Sequence, residues 1–281
     1  AELESLVRLA PLHQPHNLRP IKEIAERAPG IRQVTCFDTA FHAGQNELAT
    51  TFGLPGELRR SGVPRYGFHG LSYEYISGQL REVAPQDADK KIVIAHLGNG
   101  ASLCGIEHGR SVVTTMGFTP VDGLMMGTRC GAIDPGVLIY LIDEYGMGPR
   151  ELEELIYKKS GLLGVSGLSS DMRTLRSSSE PGASEAIDLF VYRIVREIGS
   201  VVAALGGIEG LVFTGGIGQR DQATRREVIA GCAWLGAAAN EKASALEEGR
   251  IDARSSAFPI WVIPTDEEQV IAKSTAALVN R

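Results

Sequence analysis

Apolar residues recur at helical spacing over Ala186, Ile187, Phe190, Val191, Ile194, Val195, Ile198, Val201, Val202 and Leu205, which predicts a long helix with a broad apolar face. A face that wide needs cover, so this helix is expected to be central and buried. Shorter stripes follow Pro135 (Val137, Leu138, Leu141, Ile142 and Tyr145, ended by Gly146) and Pro149 (Leu152, Leu155 and Ile156). Each proline stands in a first turn, where no amide donor is needed. Helices are also predicted over residues 2–10 and, after a Pro264-Thr265-Asp266 cap, over residues 267–280. Short β-branched runs at 34–37, 92–95, 103–106, 111–115, 211–214 and 261–263 predict strands. Between two of them, Glu107-His108-Gly109-Arg110 supplies a turn with a glycine able to take positive φ, so the flanking strands should form an antiparallel hairpin. The result is an α/β chain that is not a purely parallel βαβ sheet, expected to form two lobes.

Composition narrows the function classes. The 281 residues carry 28 Lys and Arg against 34 Asp and Glu, a net charge of −6, which offers no broad basic face for nucleic acid or anionic lipid. With 43% hydrophobic residues the chain can bury a substantial core, yet no apolar run reaches the roughly 20 residues that span a bilayer. Residues 1–10 are charged and amphipathic rather than a basic patch before an apolar run. Cys36, Cys104, Cys130 and Cys232 are widely spaced without a C-x-x-C pair, and read as buried thiols in a reducing compartment. A cytoplasmic protein with neither a nucleic-acid nor a membrane partner is the expectation.

Three glycine-bearing turns carry the candidate chemistry: His96-Leu97-Gly98-Asn99-Gly100, Met126-Gly127-Thr128-Arg129-Cys130-Gly131 and Thr214-Gly215-Gly216-Ile217-Gly218. Without a Cβ the main chain can approach phosphate oxygens and point its amides at them. One such turn is commonly only a tight connection, but three in one chain point to phosphate. Neither G-x-x-x-x-G-K-[ST] nor G-x-G-x-x-G is present, which argues against a Walker-type NTPase and a Rossmann dehydrogenase.

Seven runs resemble the acetate kinase family, in the family's order: Phe37-Asp38-Thr39-Ala40-Phe41-His42, Arg65-Tyr66-Gly67-Phe68-His69-Gly70, His96 to Gly100, Met126-Gly127-Thr128-Arg129, Ser160-Gly161-Leu162-Leu163-Gly164, Gly215 to Gly218 and Pro264-Thr265-Asp266-Glu267-Glu268. The resemblance extends from Leu9-Ala10-Pro11-Leu12-His13 to the last predicted helix. It implies a two-lobed actin-like ATPase fold with ribonuclease H-like lobes, the first lobe incomplete: residues 1–39 plus 268–281 as its remnant, and 40–267 as the nucleotide-binding lobe. It also implies a homodimer and reversible, magnesium-dependent in-line transfer between ATP and acetate, giving acetyl phosphate and ADP.

Carried over residue by residue, the resemblance makes Asp38 the catalytic carboxylate beside the acceptor. A carboxylic acid is already ionised at neutral pH, so positioning matters there more than proton abstraction. Read without the family, Asp38 could equally be a turn cap. Arg129 and His69 resemble the pair that grips the equatorial oxygens of the transferring phosphoryl group. Arg129 on a glycine loop is a plausible anion ligand in its own right, whereas His69 alone reads as structural.

His13 and Phe68 fall on the substrate side, with Gln14 and His16 departing from the family's Asn and Pro. His96, Leu97, Gly98, Asn99 and Gly100, then Asp171, Met172 and Arg173, then Gly215, Gly216, Ile217, Gly218 and Gln219 correspond to the ATP/ADP segments. Gln219 stands where the family commonly has Glu. Glu267 resembles the Mg2+-site acid, although the first turn of a helix favours an acid in any case. His42 reads as packing.

Family members carry an Asn- and Ser-rich phosphate turn and a carboxylate-binding arginine upstream of the point matching Ala1, so the chain is expected to be part of a longer protein and to need that part for turnover. Two alternatives stay open: the same chemistry on propionate or butyrate, because one methylene changes binding by only about 1–3 kcal/mol, and a non-catalytic ATP-binding member of the superfamily.

Overall fold

Five of the six predicted strands pair, with one short addition, into a single six-stranded sheet in a computed structural model that describes residues 2–5 and 14–279. The strands are β1 (Ile92–Leu97), β2 (Ala101–Glu107), β3 (Arg110–Thr114), β4 (Gly210–Thr214), β5 (Gly249–Arg250) and β6 (Ile260–Val262), in the order β3-β2-β1-β4-β6-β5. The β1–β2 and β2–β3 pairs are antiparallel, while β4 lies parallel to both β1 and β6. His108 (φ 51°) and Gly109 (φ 72°) are both left-handed, which lets a two-residue turn close the β2–β3 hairpin as expected.

Strand alternation sorts side chains to the two faces of the sheet. Ile92, Ile94, Cys104 and Ile106 pack with Tyr73, Ile76 and Leu80 of the Gly70–Val83 helix. Val93, Ala95, Leu97, Ala101 and Leu103 join Phe190, Ile194 and Ile198 of the Pro181–Leu205 helix, which is central and buried as its spacing predicts. A Cβ on Gly105 would come within 2.9 Å of Val201 and Leu205, so that glycine lets the long helix sit close on β2. The parallel register sets the ends of β1 and β4 side by side, and the His96 and Thr214 turns therefore open at the same edge of the sheet.

Some expectations change. Residues 34–37 form no strand: they pair with no neighbouring strand among the described residues, and Phe37 is 48% exposed. The helix expected over 2–10 is present as Glu2–Ser5, and residues 6–10 lie outside the described set. The last helix is Glu267–Val279; Asp266 Oδ1 accepts from the Gln269 amide at 3.0 Å, as the predicted cap requires, and Asn280 lies outside the described residues. The Pro135–Tyr145 helix is capped by Asp134 and ends on left-handed Gly146 as predicted, and its Val137, Ile139, Tyr140, Ile142 and Tyr145 are exposed. Cys104 and Cys232 are buried thiols, whereas Cys36 and Cys130 are only partly so.

Candidate functional site

The first turn of the Gly70–Val83 helix is organised by Asp38. Asp38 Oδ2 accepts from the His69 amide at 2.7 Å and Asp38 O from the Gly70 amide at 2.8 Å, so the turn-cap reading of this residue is realised. His69 is left-handed at φ 58°, uncommon for a residue with a side chain, and these two bonds hold it there. A Cβ on Gly70 would overlap Asp38 O, which explains the glycine after the histidine.

Behind the helix start, two imidazoles lie stacked. The rings of His69 and His96 are 4.3 Å apart and inclined by 22°. His96 Nδ1 lies 2.8 Å from Ser72 Oγ, and His69 Nδ1 2.8 Å from Ser102 Oγ. Because His96 and Ser102 are directly opposed across β1 and β2, both project toward the helix that carries Ser72. Burial, reinforced by the Arg129 charge, pushes His69 down to about 4, and burial with His69 beside it pushes His96 down to about 3. Both rings are neutral at pH 7, so His69 is available there as a donor and not as a cation.

Arg129 reaches the same place from the opposite side. Its loop is fixed by main-chain bonds: Met126 O accepts from the Leu162 amide at 2.8 Å, Gly127 O from Leu163 at 2.9 Å, Thr128 O from Ser160 at 3.0 Å, and the Gly127 amide donates to Asn99 O at 3.0 Å. The guanidinium donates to Pro120 O at 2.9 Å, and among the described residues it has no carboxylate partner. Burial lowers its pKa, the signature of a cation taken from water without a counter-ion. A Cβ on Gly100 would sit 3.1 Å from His69 Nε2 and 3.8 Å from Arg129 Nη1, so the glycine turn, the neutral histidine and the unpaired arginine share one spot.

Next to this spot, and joined to it through Gly98 and Asn99, is a cleft of about 490 Å³ whose lining also includes Met172, Arg173, Gly216 and Ile217 together with Ser170, Asp171, Arg176, Arg220 and Asp221; His69, Gly100 and Arg129 lie beyond that lining. The predicted nucleotide segments therefore converge, with Gly215 at φ 76° opening the Gly215–Arg220 helix and the buried Leu97 packed beneath. Gly218 is buried, and neither it nor Gln219 lines the cleft; their carbonyls accept instead from the Arg225 guanidinium.

Asp171 caps the Met172–Ser177 helix and pairs with Arg173 at 2.6 Å, a bond that pulls its carboxyl down to about 2. Sequence reasoning missed Arg176, whose guanidinium binds both oxygens of Glu227 (2.8 and 2.6 Å), Thr224 Oγ1 at 3.0 Å and Asp221 Oδ2 at 3.3 Å. Its partners lie 45 to 51 residues away, so no local motif marks it; the Asp221 cap followed by Thr224 is the only trace.

Glu267 is half-buried at the start of the last helix; burial raises its carboxyl, and the Asp38 charge raises it further. Among the described residues no cation pairs with Glu267, which leaves its carboxylate free for a hard divalent ion shared with phosphate. Phe68 packs partly against the core, and its carbonyl accepts from His42 Nε2 at 3.0 Å, leaving His42 Nδ1 to accept from Ser111; His42 is packing, as expected. His13 lies outside the described residues.

The model of the acetokinase family matches residues 1–273. An acetate kinase of Rhodopseudomonas palustris (strain TIE-1) is 56% identical over 283 residues, covering 100% of this chain and 71% of that protein. An acetate kinase of Rickettsia akari is 48% identical, over 97% of this chain and 71% of its own length. Among solved structures, Porphyromonas gingivalis acetate kinase superposes with a TM-score of 0.92 at 41% identity, over 99% of this chain and 71% of that one. A Francisella tularensis propionate kinase gives 0.91 at 35%, over 96% and 71%. The chain spans about 71% of the length of these relatives, has their actin-like ATPase fold, and belongs to the acetokinase family.

Proposed function

We propose that this chain carries the nucleotide-binding and phosphoryl-transfer parts of an acetate kinase, which moves a phosphoryl group reversibly between ATP and acetate to give acetyl phosphate and ADP. The observation that carries the reading is the meeting of unpaired Arg129, neutral His69 and the Gly98–Gly100 turn beside the inner end of the cleft. Adenosine lies in the outer cleft against Asp171, Met172 and Arg173 and against Gly216 and Ile217, with the phosphates running inward along the amides of 98–100. There Arg129 and His69 donate to the equatorial oxygens of the phosphoryl group, where charge develops during transfer.

Acetate arrives as its anion, so it needs orientation rather than deprotonation; Asp38 and Phe68 are read on its side, and the resemblance adds His13. Glu267 would hold Mg2+, which would supply charge neutralisation at the phosphates. Residues 1–39 and 268–281 are read as pieces of the first lobe, supported by the Arg32 Nη1 to Val279 O bond at 3.3 Å. The exposed apolar face of the Pro135–Tyr145 helix supports a homodimer, since such a face gains by burial against its own copy. A cytoplasmic setting accords with free thiols at all four cysteines and with no membrane-crossing helix among the described residues.

The likeness to a propionate kinase at a TM-score of 0.91 favours one second reading, the same transfer to a longer acid. Trapping the acyl phosphate as hydroxamate, with the full-length protein, ATP and Mg2+, tests both. Highest turnover on acetate is expected; higher turnover on propionate or butyrate moves the assignment to the longer acid, and no acyl phosphate from any of the three overturns it.

A further inference from the structure

Two hydroxyls in a row stand behind His69. Tyr73 is wholly buried, and among the described residues its hydroxyl has one hydrogen-bond partner, Ser102 Oγ. Ser102 is also fully buried, and its Oγ lies 2.8 Å from His69 Nδ1. Burial holds the Tyr73 phenol well above its usual range, so its proton stays on oxygen. A buried O–H left unspent is costly, and Ser102 Oγ is the acceptor within reach. Having accepted from Tyr73, the serine hydroxyl directs its own proton to its other neighbour, His69 Nδ1. A neutral imidazole that accepts at Nδ1 carries its proton on Nε2, and Nε2 is the atom that faces the Gly100 turn beside Arg129.

We infer that Tyr73 and Ser102 are positioning residues that fix His69 in its Nε2–H form, so that the ring presents a donor, and not a lone pair, to the transferring phosphoryl group. The inference rests on the reading of His69 as a phosphoryl ligand. With the opposite orientation, Nδ1–H would donate to Ser102 and the Nε2 lone pair would point at an anion. The stacked His96 holds the plane of the ring but makes no hydrogen bond to either of its nitrogens, so it cannot set the tautomer. The first turn of one helix thus serves both histidines, Ser72 by bonding His96 directly and Tyr73 by reaching His69 through Ser102.

The test compares the full-length wild-type protein with Tyr73→Phe, Ser102→Ala and His69→Ala. Phenylalanine keeps the buried ring and removes only the hydroxyl; Ser102 is then free to turn and accept from Nδ1–H. Long-range 15N–1H spectra should show His69 as Nε2–H in the wild type and a mixture of tautomers in both positioning variants. Acetyl phosphate formation should fall on the order of tenfold in kcat, with the KM for ATP unchanged. Should Tyr73→Phe fail to fold, Ser102→Ala carries the same readouts. A His69 that stays Nε2–H with wild-type kcat in either folded variant overturns the inference. The His69→Ala control separates the two levels: if it turns over normally, the role of His69 itself falls, whereas if it is disabled while the positioning variants are silent, only the relay falls.

Discussion

The two ends of the cleft treat charge in opposite ways. At the outer end Arg173 and Arg176 are already paired, with Asp171 and with Asp221 and Glu227, and an ion so matched has little attraction left for a phosphate. At the inner end Arg129 is half-buried with no carboxylate partner among the described residues, and the two histidines beside it are neutral. The difference assigns labour: the outer end shapes a pocket for the nucleoside, while the inner end keeps its one strong donor unspent for the charge that appears during transfer.

Removing the unspent charge should break this contrast most sharply. Arg129→Ala is expected to lower kcat for acetyl phosphate formation by about 10²–10³-fold, the usual loss on deleting one transition-state donor, with a much smaller change in the KM for ATP, as steady-state kinetics would show. The neutral histidines give a second handle. Each has an ordinary pKa of 6.5 lowered in the fold, to about 4 for His69 and about 3 for His96, so the unfolded chain binds more protons between those values. Their contribution to stability is fully present above about pH 6.5 and declines as pH falls toward 4 and then 3, by up to about 1.4 kcal/mol per pH unit for each. Denaturant unfolding at a series of pH values measures it; a His96→Gln variant should flatten the slope.

Arg176→Ala should reverse the kinetic pattern of Arg129→Ala: several-fold weaker KM for ATP, the size expected when a few hydrogen bonds that tie pocket walls together are lost, with kcat nearly intact. The smallest effect is expected for Arg173→Ala, because its side chain is 92% exposed and its ion pair with Asp171 is screened by water. A change there as large as that of Arg176→Ala would erase the difference between a wall residue and a rim residue.

Much of the fold was legible where a signal repeats along the chain. The Pro181–Leu205 helix announces itself through ten apolar positions at one period, and the β2–β3 hairpin through a single Gly109 between β-branched runs. Residues 34–37 misled because β-branching marks only a willingness to extend, and a strand also needs a neighbour that local sequence cannot supply. The stripe after Pro135 was legible as a helix but not as an exposed one, since periodicity reports that a face is apolar and not what covers it. In the site, the glycine turns were visible because phosphate binding requires glycine in the chain itself. Arg176, Tyr73 and Ser102 were not, because their meaning comes from partners 29 to 51 residues away that only folding brings near.

The most direct check is the equilibrium affinity of full-length Arg129→Ala for ATP, measured by calorimetry beside its rate of acetyl phosphate formation. An affinity close to wild type with the rate reduced by about 10²–10³-fold is what an arginine reserved for the transition state predicts. Lost nucleotide binding with phosphoryl transfer intact at saturating ATP would contradict it, and would make Arg129 part of the ATP pocket instead.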